Sequence, residues 1–252
     1  MINNILILAA GRGLRLHPLT IDKPKPLLEI DSRGTTILDR LLWQCRSLLP
    51  EVPVYINVGF RAETILLHFR DTPHKFRPTF LYEPNILGPA ATLVQFSKNN
   101  RGRTLVIYGD LILSSEGFSK FVGFAKSTES QIIVCHYRER FKARSEVISL
   151  KPQNTMEKII EHSSLEVPFD SETEELIQVS SGLFLIHLSN VTDFKALRGE
   201  SLSPRLLNFI NSDVMSVYLW EDWRFAIDSL TNLHQAKLKI ALPGEREKPF
   251  TM

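Results

Sequence analysis

Short apolar runs alternate along this chain with segments whose apolar residues recur at helical spacing. Four such pairs follow one another, with strands predicted at 4–10, 52–59, 78–84 and 104–110 and helices at 36–49, 62–69, 90–98 and 116–126. This order predicts βαβ units, and hence a mostly parallel sheet covered by helices. The sequence therefore predicts an α/β fold, in which ligands bind beyond the carboxyl ends of the strands.

The second half of the chain continues this pattern less regularly. It is predicted to form strands at 130–139, 178–187 and 214–220, a hairpin-like or strand-turn segment at 146–163, and helices at 204–210 and 232–240. With 252 residues, 43% of them hydrophobic, the chain can bury one large core. We expect a single domain over residues 1–242, followed by a polar tail at 243–252.

The composition argues against several kinds of partner. The formal net charge is only +2 and the basic residues form no run, so neither nucleic acid nor a membrane surface is expected. Cys45 and Cys135 lie in apolar segments without metal or redox spacing, which is typical of buried thiols in a reducing compartment. The apolar N-terminal stretch is too short for a membrane span and lacks the basic start of a signal peptide, so we expect a cytoplasmic protein.

The segment LAAGRGLRLHPLTIDKPKP, residues 8–26, follows the first predicted strand. Gly11 and Gly13 allow backbone N–H groups to approach a phosphate or a base closely. Arg15 adds a forked donor and Lys25 a point charge, and both suit phosphoryl oxygens. On composition alone, a structural turn with two surface cations is the alternative interpretation, because a single Gly-x-Gly is a weak signal.

This segment closely resembles the signature of the nucleotidyltransferases that make nucleotide sugars, in which Ala-Ala-Gly-x-Gly-x-Arg and then Pro-Lys-Pro follow an apolar strand. Further similar segments occur in the order of that family, namely YEPNILGPAATL, VIYGDLIL, IIEHS, VSSGLFLI and FAIDSLTNL, so that the resemblance covers roughly residues 3–238. It implies a Rossmann-like three-layer sandwich with a mostly parallel mixed sheet. It also implies a nucleotide-binding half at about 1–128 and an acceptor-binding half at about 129–242.

The resemblance implies a Mg²⁺-dependent in-line transfer of a nucleoside monophosphate group from a nucleoside triphosphate to a sugar 1-phosphate, with release of pyrophosphate. In the matched positions Arg15 would stabilise the pyrophosphate and Lys25 the α-phosphate, and these are the expected catalytic residues. Asp110 and Asp228 match the aspartates that hold the metal ion. For either aspartate alone, a cap or turn at the end of a strand is the simpler interpretation.

The predicted nucleotide-binding residues are Leu8, Ala10, Gly11, Gly13, Glu83 and Gly88. Glu83 stands where thymidylyl and uridylyl enzymes of the family commonly carry Gln. Because a carboxylate only accepts hydrogen bonds, it suits a base edge that carries an amino group, and GTP or CTP is slightly favoured as the donor. The alternative is that Glu83 is a solvated residue before Pro84.

The acceptor-binding residues implied by the resemblance are Glu161, His162, Ser181, Gly182 and Trp223. His162 replaces a lysine that usually binds the sugar phosphate in the family, and an imidazole is a weaker phosphate partner than an ammonium group. Either the acceptor site is unusual or another cation compensates, for which Arg138, Arg140 and Lys158 are the candidates.

Two other functions stay open. Tyr218, Trp220 and Trp223 lie beside acidic residues and would form an aromatic box for a quaternary ammonium group, as in a cytidylyltransferase acting on phosphocholine or a related aminoalkyl phosphate or phosphonate. A strand with alternating aromatic residues is, however, more often part of a core. The third candidate is a catalytically inactive nucleotide-binding regulatory protein. The expected partners are a nucleoside triphosphate and a small phosphorylated acceptor, and a homo-oligomer is left open.

Overall fold

The structure, a computed structural model, describes residues 1–71, 77–140, 147–150, 156–160, 176–191, 194, 199, 201–206, 209, 212 and 214–242. The predicted tail at 243–252 therefore lies outside the described residues. No helix within the described part of the chain is both long and apolar enough to cross a membrane.

The predicted strands and helices occur in the predicted order, with two short strands, Leu111–Leu113 and Arg224–Ala226, in addition. The strands are β1 (Asn4–Leu8), β2 (Val54–Val58), β3 (Thr79–Tyr82), β4 (Arg103–Tyr108), β5 (Leu111–Leu113), β6 (Ile132–Arg140), β7 (Val147–Leu150), β8 (Met156–Ile160), β9 (Leu176–His187), β10 (Met215–Trp220) and β11 (Arg224–Ala226). The helices are α1 (Ile37–Leu48), α2 (Ala62–Asp71), α3 (Pro89–Ser97), α4 (Ser115–Ser127), α5 (Ser203–Leu206) and α6 (Leu230–Ile240). Apart from the end of α5, the predicted ends of the strands and helices agree within about two residues, which is the usual uncertainty of such boundaries.

The main sheet has the strand order β10-β6-β9-β4-β1-β2-β3. Strands β4, β1, β2 and β3 are parallel neighbours, β10 is parallel to β6, and β9 runs antiparallel between β4 and β6. The predicted mostly parallel mixed sheet is confirmed. Strands β7 and β8 pair in antiparallel fashion, so the predicted hairpin is confirmed as well. Because β1 is flanked by β2 on one side and β4 on the other, the strand order reverses there, and such a switch point opens a ligand crevice at the carboxyl ends.

Helices cover both faces of the sheet and bury two apolar cores. Ile5 and Ile7 of β1 belong to the core beneath α1, α2, α4 and α6. Leu6, between them, belongs to the core beneath α3 and α5. This alternation follows from the two-residue period of a strand whose faces are both covered, and it confirms the predicted three layers.

Helix α1 illustrates how the sequence fixes the ends and faces of these elements. Thr36 caps its start, because the Thr36 side chain accepts a hydrogen bond from the Asp39 N–H while the Asp39 carboxylate accepts one from the Thr36 N–H. Its apolar stripe, including Cys45, is buried. Burial raises the pKa of the Cys45 thiol to about 12, so this thiol stays protonated near neutral pH.

One small sheet was not predicted from the sequence. Strands β5 and β11 pair in antiparallel fashion as a separate two-stranded ribbon, with Leu111 opposite Ala226. The buried Arg40 of α1 supports this ribbon, since its guanidinium donates a 2.8 Å hydrogen bond to the Leu113 carbonyl oxygen. The ribbon joins the segment that follows β4 to a segment more than a hundred residues later in the chain.

Candidate active site

The loop after β1 folds back on itself. Gly13 has a φ of 63°, in the left-handed region that favours glycine, and it begins a short 3₁₀ turn at Leu14–Leu16. Thr20 Oγ1 donates a 2.8 Å hydrogen bond to the Gly13 carbonyl oxygen. A Cβ atom on Gly13 would lie 3.2 Å from Lys25 Cβ, so the loop brings Gly13 directly against Lys25.

A cavity of about 490 Å³ opens at the switch point between β1 and β4. All six predicted nucleotide-binding residues line this cavity, namely Leu8, Ala10, Gly11, Gly13, Glu83 and Gly88. Arg15, Lys25 and Asp110 line it as well. The sequence motif, the segment after β3 and the aspartate after β4 therefore meet around one space.

Lys25 lies between the two predicted metal-binding aspartates. Its Nζ is 2.7 Å from Asp110 Oδ2 and 2.9 Å from Asp228 Oδ1. Burial would lower the pKa of the Lys25 ammonium, but the two carboxylates outweigh burial and raise this pKa above its ordinary value. Arg15 reaches Asp228 from the exposed side, with Nη1 3.2 Å from Oδ2. The four residues predicted to act on the phosphates and the metal thus form one cluster.

The ribbon explains how residues so far apart in the chain come together. Asp110 directly precedes β5, and Asp228 follows β11 by two residues. The two segments are also joined beyond the ribbon, because the Ile227 N–H donates a 3.0 Å hydrogen bond to the Asp110 carbonyl oxygen. Pairing of β5 with β11 therefore holds the two carboxylates side by side.

The carboxylate pair fits a single divalent cation. Both side chains already reach one cationic group, Lys25 Nζ, within 2.9 Å. Among the described residues, no group of three or more His, Cys, Asp or Glu side chains could hold a metal ion. Proteins commonly bind Mg²⁺ through one or two carboxylates, and substrate phosphates and water provide its other oxygen ligands. Asp110 and Asp228 are thus the residues that could hold such an ion.

Glu83 is buried and belongs to a hydrogen-bond network, so the interpretation as a solvated residue is wrong. Its Oε1 accepts hydrogen bonds from Thr92 Oγ1 at 2.5 Å and from Asn57 Nδ2 at 3.0 Å. Its Oε2 accepts one from the Leu87 N–H at 3.2 Å. Asn57 Oδ1 in turn accepts a 2.6 Å hydrogen bond from the Ala9 N–H, which ties Glu83 to the glycine loop.

Sequence analysis missed Asn57 and Thr92 as parts of this site. Asn57 is a buried amide near the carboxyl end of the otherwise apolar strand β2. The sequence did carry a sign of its role, because Asn57 is a polar residue in a strand that is buried on both faces. Such a group has to find hydrogen-bond partners. Thr92 lies within α3, and nothing in the sequence around it distinguishes it from an ordinary helix residue.

Gly88 fixes the other wall of the cavity through a close backbone contact. A Cβ atom on Gly88 would lie 2.8 Å from Gly199 Cα, and the φ of Gly88 is 93°. The Gly199 N–H donates a 2.6 Å hydrogen bond to the Leu87 carbonyl oxygen. Only glycine at position 88 allows these two backbone segments to approach this closely.

The predicted acceptor-binding residues are only partly brought to the cavity. Glu161 and His162 lie outside the described residues. Ser181 and Gly182 lie on β9 beside the cavity, and a Cβ atom on Gly182 would lie 3.2 Å from the Tyr108 ring. Tyr108 itself lines the cavity, so this part of β9 is its immediate neighbour.

The aromatic side chains of the 218–223 segment do not form a box. The Tyr218 ring packs against Phe121 and Phe124 of α4, with ring centroids 5.2 and 5.1 Å apart. Trp220 is only 3% exposed and belongs to the core. The Trp223 ring packs against the same core, with the Arg40 guanidinium 5.6 Å from its centroid. These contacts give the predicted acceptor role of Trp223 no support, and they correct the interpretation of the segment as a quaternary-ammonium site.

Comparison with known proteins agrees with the fold and the motif. A family model described as nucleotidyl transferase matches residues 4–225, and the chain belongs to this family. The family membership expected from the sequence is confirmed. HddC from Yersinia pseudotuberculosis, solved alone and complexed with GMP-PN, superimposes with a TM-score of 0.70 over 95% of this chain and 100% of that chain. At 18% sequence identity this likeness supports the fold alone.

Two relatives match part of this chain at higher sequence identity. Bifunctional protein GlmU from Methanococcus maripaludis is 30% identical over 107 residues, which make up 42% of this chain and 24% of the relative. The UTP--glucose-1-phosphate uridylyltransferase AglF from Haloferax volcanii is 33% identical over 110 residues, or 44% of this chain and 44% of the relative. The matches therefore span less than half the length of either relative.

Proposed function

We propose that this protein transfers a nucleoside monophosphate group from a nucleoside triphosphate to a sugar 1-phosphate and releases pyrophosphate. The observation that carries this proposal is the contact of Lys25 with both Asp110 and Asp228 at the edge of the cavity formed by the glycine loop. The cluster joins a cation for phosphate oxygens with two carboxylates that could hold Mg²⁺. Such a pairing suits phosphoryl transfer, in which positioning and charge neutralisation are the main tasks of the protein.

The residues of the chain have separate tasks in this reaction. An oxygen of the acceptor phosphate attacks the α-phosphorus, the bond from that phosphorus to the bridging oxygen of the β-phosphate breaks, and pyrophosphate leaves with the bonding electron pair. Lys25 binds the α-phosphate oxygens, where charge builds up, and Arg15 binds the departing pyrophosphate. When bound by Asp110 and Asp228, Mg²⁺ would neutralise phosphate charge. No general base is required, because a phosphomonoester is already ionised near neutral pH.

Glu83 favours guanine among the donor bases. Its Oε2 accepts only the Leu87 N–H among the described residues, so a further lone pair is open to a ligand. Guanine presents two neighbouring donors, N1–H and the N2 amino group, to such an acceptor. Cytosine presents its amino group beside the N3 acceptor, and uracil or thymine presents one N–H between two carbonyl oxygens. We therefore propose GTP as the preferred donor, ahead of CTP, although the relative AglF is named for UTP.

The variant Glu83→Gln tests this base preference. Its amide oxygen can still accept from Thr92 and Asn57, while its amino group replaces the acceptor offered to guanine. We expect the ratio of kcat/KM for GTP to that for UTP to fall about 10- to 100-fold. Steady-state pyrophosphate release measures both values, and Glu63→Gln at an exposed position of α2 is the matched control. An unchanged ratio would show that Glu83 does not read the base.

The variant Gly11→Ala tests whether the glycine loop approaches the nucleotide. A Cβ atom on Gly11 would meet no protein atom within 4 Å, so the fold has room for it. We expect the free energy of unfolding to change by less than about 0.5 kcal/mol. The KM for the nucleoside triphosphate should rise about tenfold, since the methyl group takes space reserved for the ligand. The control is Gly123→Ala on α4, which also meets no atom within 4 Å. Equal KM values for both variants would contradict a close approach at Gly11.

The overall reaction is tested by pyrophosphate release from GTP, CTP, UTP and dTTP against glucose, mannose and N-acetylglucosamine 1-phosphates and phosphocholine. We expect Mg²⁺-dependent release with GTP and at least one sugar 1-phosphate. Release with CTP and phosphocholine alone would overturn the sugar proposal. No release from any pair, combined with tight nucleotide binding, would favour the inactive regulatory protein.

A further inference from the structure

Arg224 of β11 is held firmly on its protein side. Its Nη2 donates a 2.8 Å hydrogen bond to the Ser181 carbonyl oxygen. The centre of its guanidinium lies 3.9 Å from the centroid of the Tyr137 ring, close enough for a cation–π contact. A side chain fixed by one carbonyl oxygen and one aromatic face keeps its planar fork in a single orientation.

Arg224 has no carboxylate partner among the described residues. Its hydrogen-bond partner is a neutral carbonyl, and no carboxylate of the described part of the chain forms an ion pair with it. Its Nε is buried without a hydrogen-bond partner. Because a half-buried guanidinium without a counter-ion is unfavourable, this arrangement suits an anionic ligand that takes the free N–H groups.

The place of Arg224 in the fold identifies the side from which such a ligand comes. It opens β11, and Asp228 follows two residues after the last residue of that strand, Ala226. Because four residues of chain span at most about 14 Å, the Cα atoms of Arg224 and Asp228 lie within that distance of each other. Its partner Ser181 adjoins Gly182, which packs beside the cavity residue Tyr108. Arg224 thus lies near the carboxylate cluster, on the side where β9 runs.

We propose that Arg224 binds the phosphate group of the acceptor through its free N–H groups. This inference rests on the proposed function and adds to it a cation for the acceptor. In the proposed function the donor nucleotide lies over the glycine loop and Glu83, with its phosphates at Lys25 and Arg15. A guanidinium fork on the β9 side complements a second, separately entering phosphate.

Steady-state kinetics of Arg224→Gln and Arg224→Lys test this role. At saturating GTP and Mg²⁺, we expect the acceptor KM of Arg224→Gln to rise about 10- to 100-fold, as expected for loss of a charged hydrogen bond. The rise for Arg224→Lys should be smaller, because lysine keeps the charge without the fork. The KM for GTP should change less than about twofold in both variants. Inorganic phosphate should compete with the acceptor, and its inhibition constant should rise in parallel with the acceptor KM.

Arg33→Gln is the matched control, since Arg33 is an exposed arginine paired with Asp31 in a turn away from the cavity. Both of its KM values should stay at those of the unmodified protein. Circular dichroism melting of each variant separates loss of folding from loss of binding. If Arg224→Gln melts normally and its acceptor KM is unchanged, the role of Arg224 is refuted while the proposed reaction stands. If the unmodified protein releases no pyrophosphate with any sugar 1-phosphate, both the reaction and this inference are refuted.

Discussion

Replacing Asp110 with asparagine is expected to lower Mg²⁺-dependent pyrophosphate release by at least about a thousandfold. The change removes one of the two carboxylates that converge at the cavity and leaves Lys25 with Asp228 as its only carboxylate partner in the cluster. Asparagine has almost the same shape, so the main effect falls on charge and metal binding. Release is measured at several Mg²⁺ concentrations, because a weakened metal site should be partly restored by excess metal.

Asp222→Asn provides the control for this experiment. Asp222 lies near the start of β11 and pairs with Lys120 at 3.4 Å, outside the cavity lining. Its variant should retain pyrophosphate release within about twofold, as expected for an ion pair at the surface. Near-normal turnover of Asp110→Asn would refute the assignment of this residue to the metal site.

Replacing Lys25 with methionine is expected to lower kcat about 100- to 1,000-fold, because the variant lacks the cation proposed to stabilise the α-phosphate in the transition state. The same variant should bind Mn²⁺ more tightly when no nucleotide is present. In the unmodified protein the Lys25 ammonium lies within 2.9 Å of both carboxylates and repels a second cation at the same place. Removing that charge should raise the affinity for free Mn²⁺ at least about tenfold.

Electron paramagnetic resonance of free Mn²⁺ measures this binding without any turnover. Lys23→Met is the control, since Lys23 pairs with Glu29 at the surface and should affect neither kcat nor Mn²⁺ binding. Weaker Mn²⁺ binding by Lys25→Met would mean that Lys25 supports the metal site instead of competing with it. An unchanged kcat would remove Lys25 from the catalytic residues.

The parallel part of the sheet could be predicted from the sequence, because each of its strands and helices is recognisable from the pattern of its own residues. Each strand from β1 to β4 is an apolar run of its own, and each following helix repeats its apolar residues along one stripe. The ribbon could not be predicted in this way. Strand β5 has only three residues, and its partner β11 lies over a hundred residues later, so pairing is visible only in three dimensions. The family motifs nevertheless identified Asp110 and Asp228, which the ribbon brings together.

The surroundings of Glu83 show a second limit of prediction from the sequence. The sequence places a glutamate after β3, but whether its carboxylate faces solvent depends on Asn57 and Thr92, which come from other elements. The aromatic residues at 218–223 show the same limit. Their spacing is compatible with a box and with a core, and the packing of Tyr218 against α4 decides for the core. In both cases the deciding contacts join residues distant in sequence.

The hydrogen bonds around Asn57 have a consequence for how this protein could diversify. Asn57 joins Ala9 in the glycine loop to Glu83, and Thr92 shares the same carboxylate oxygen of Glu83. A mutation at position 83 therefore alters the partners of three segments at once. Because Asn57 and Thr92 both donate to one oxygen of residue 83, homologues whose residue 83 has no hydrogen-bond acceptor should also differ at positions 57 and 92, whereas a glutamine at position 83 should leave both unchanged.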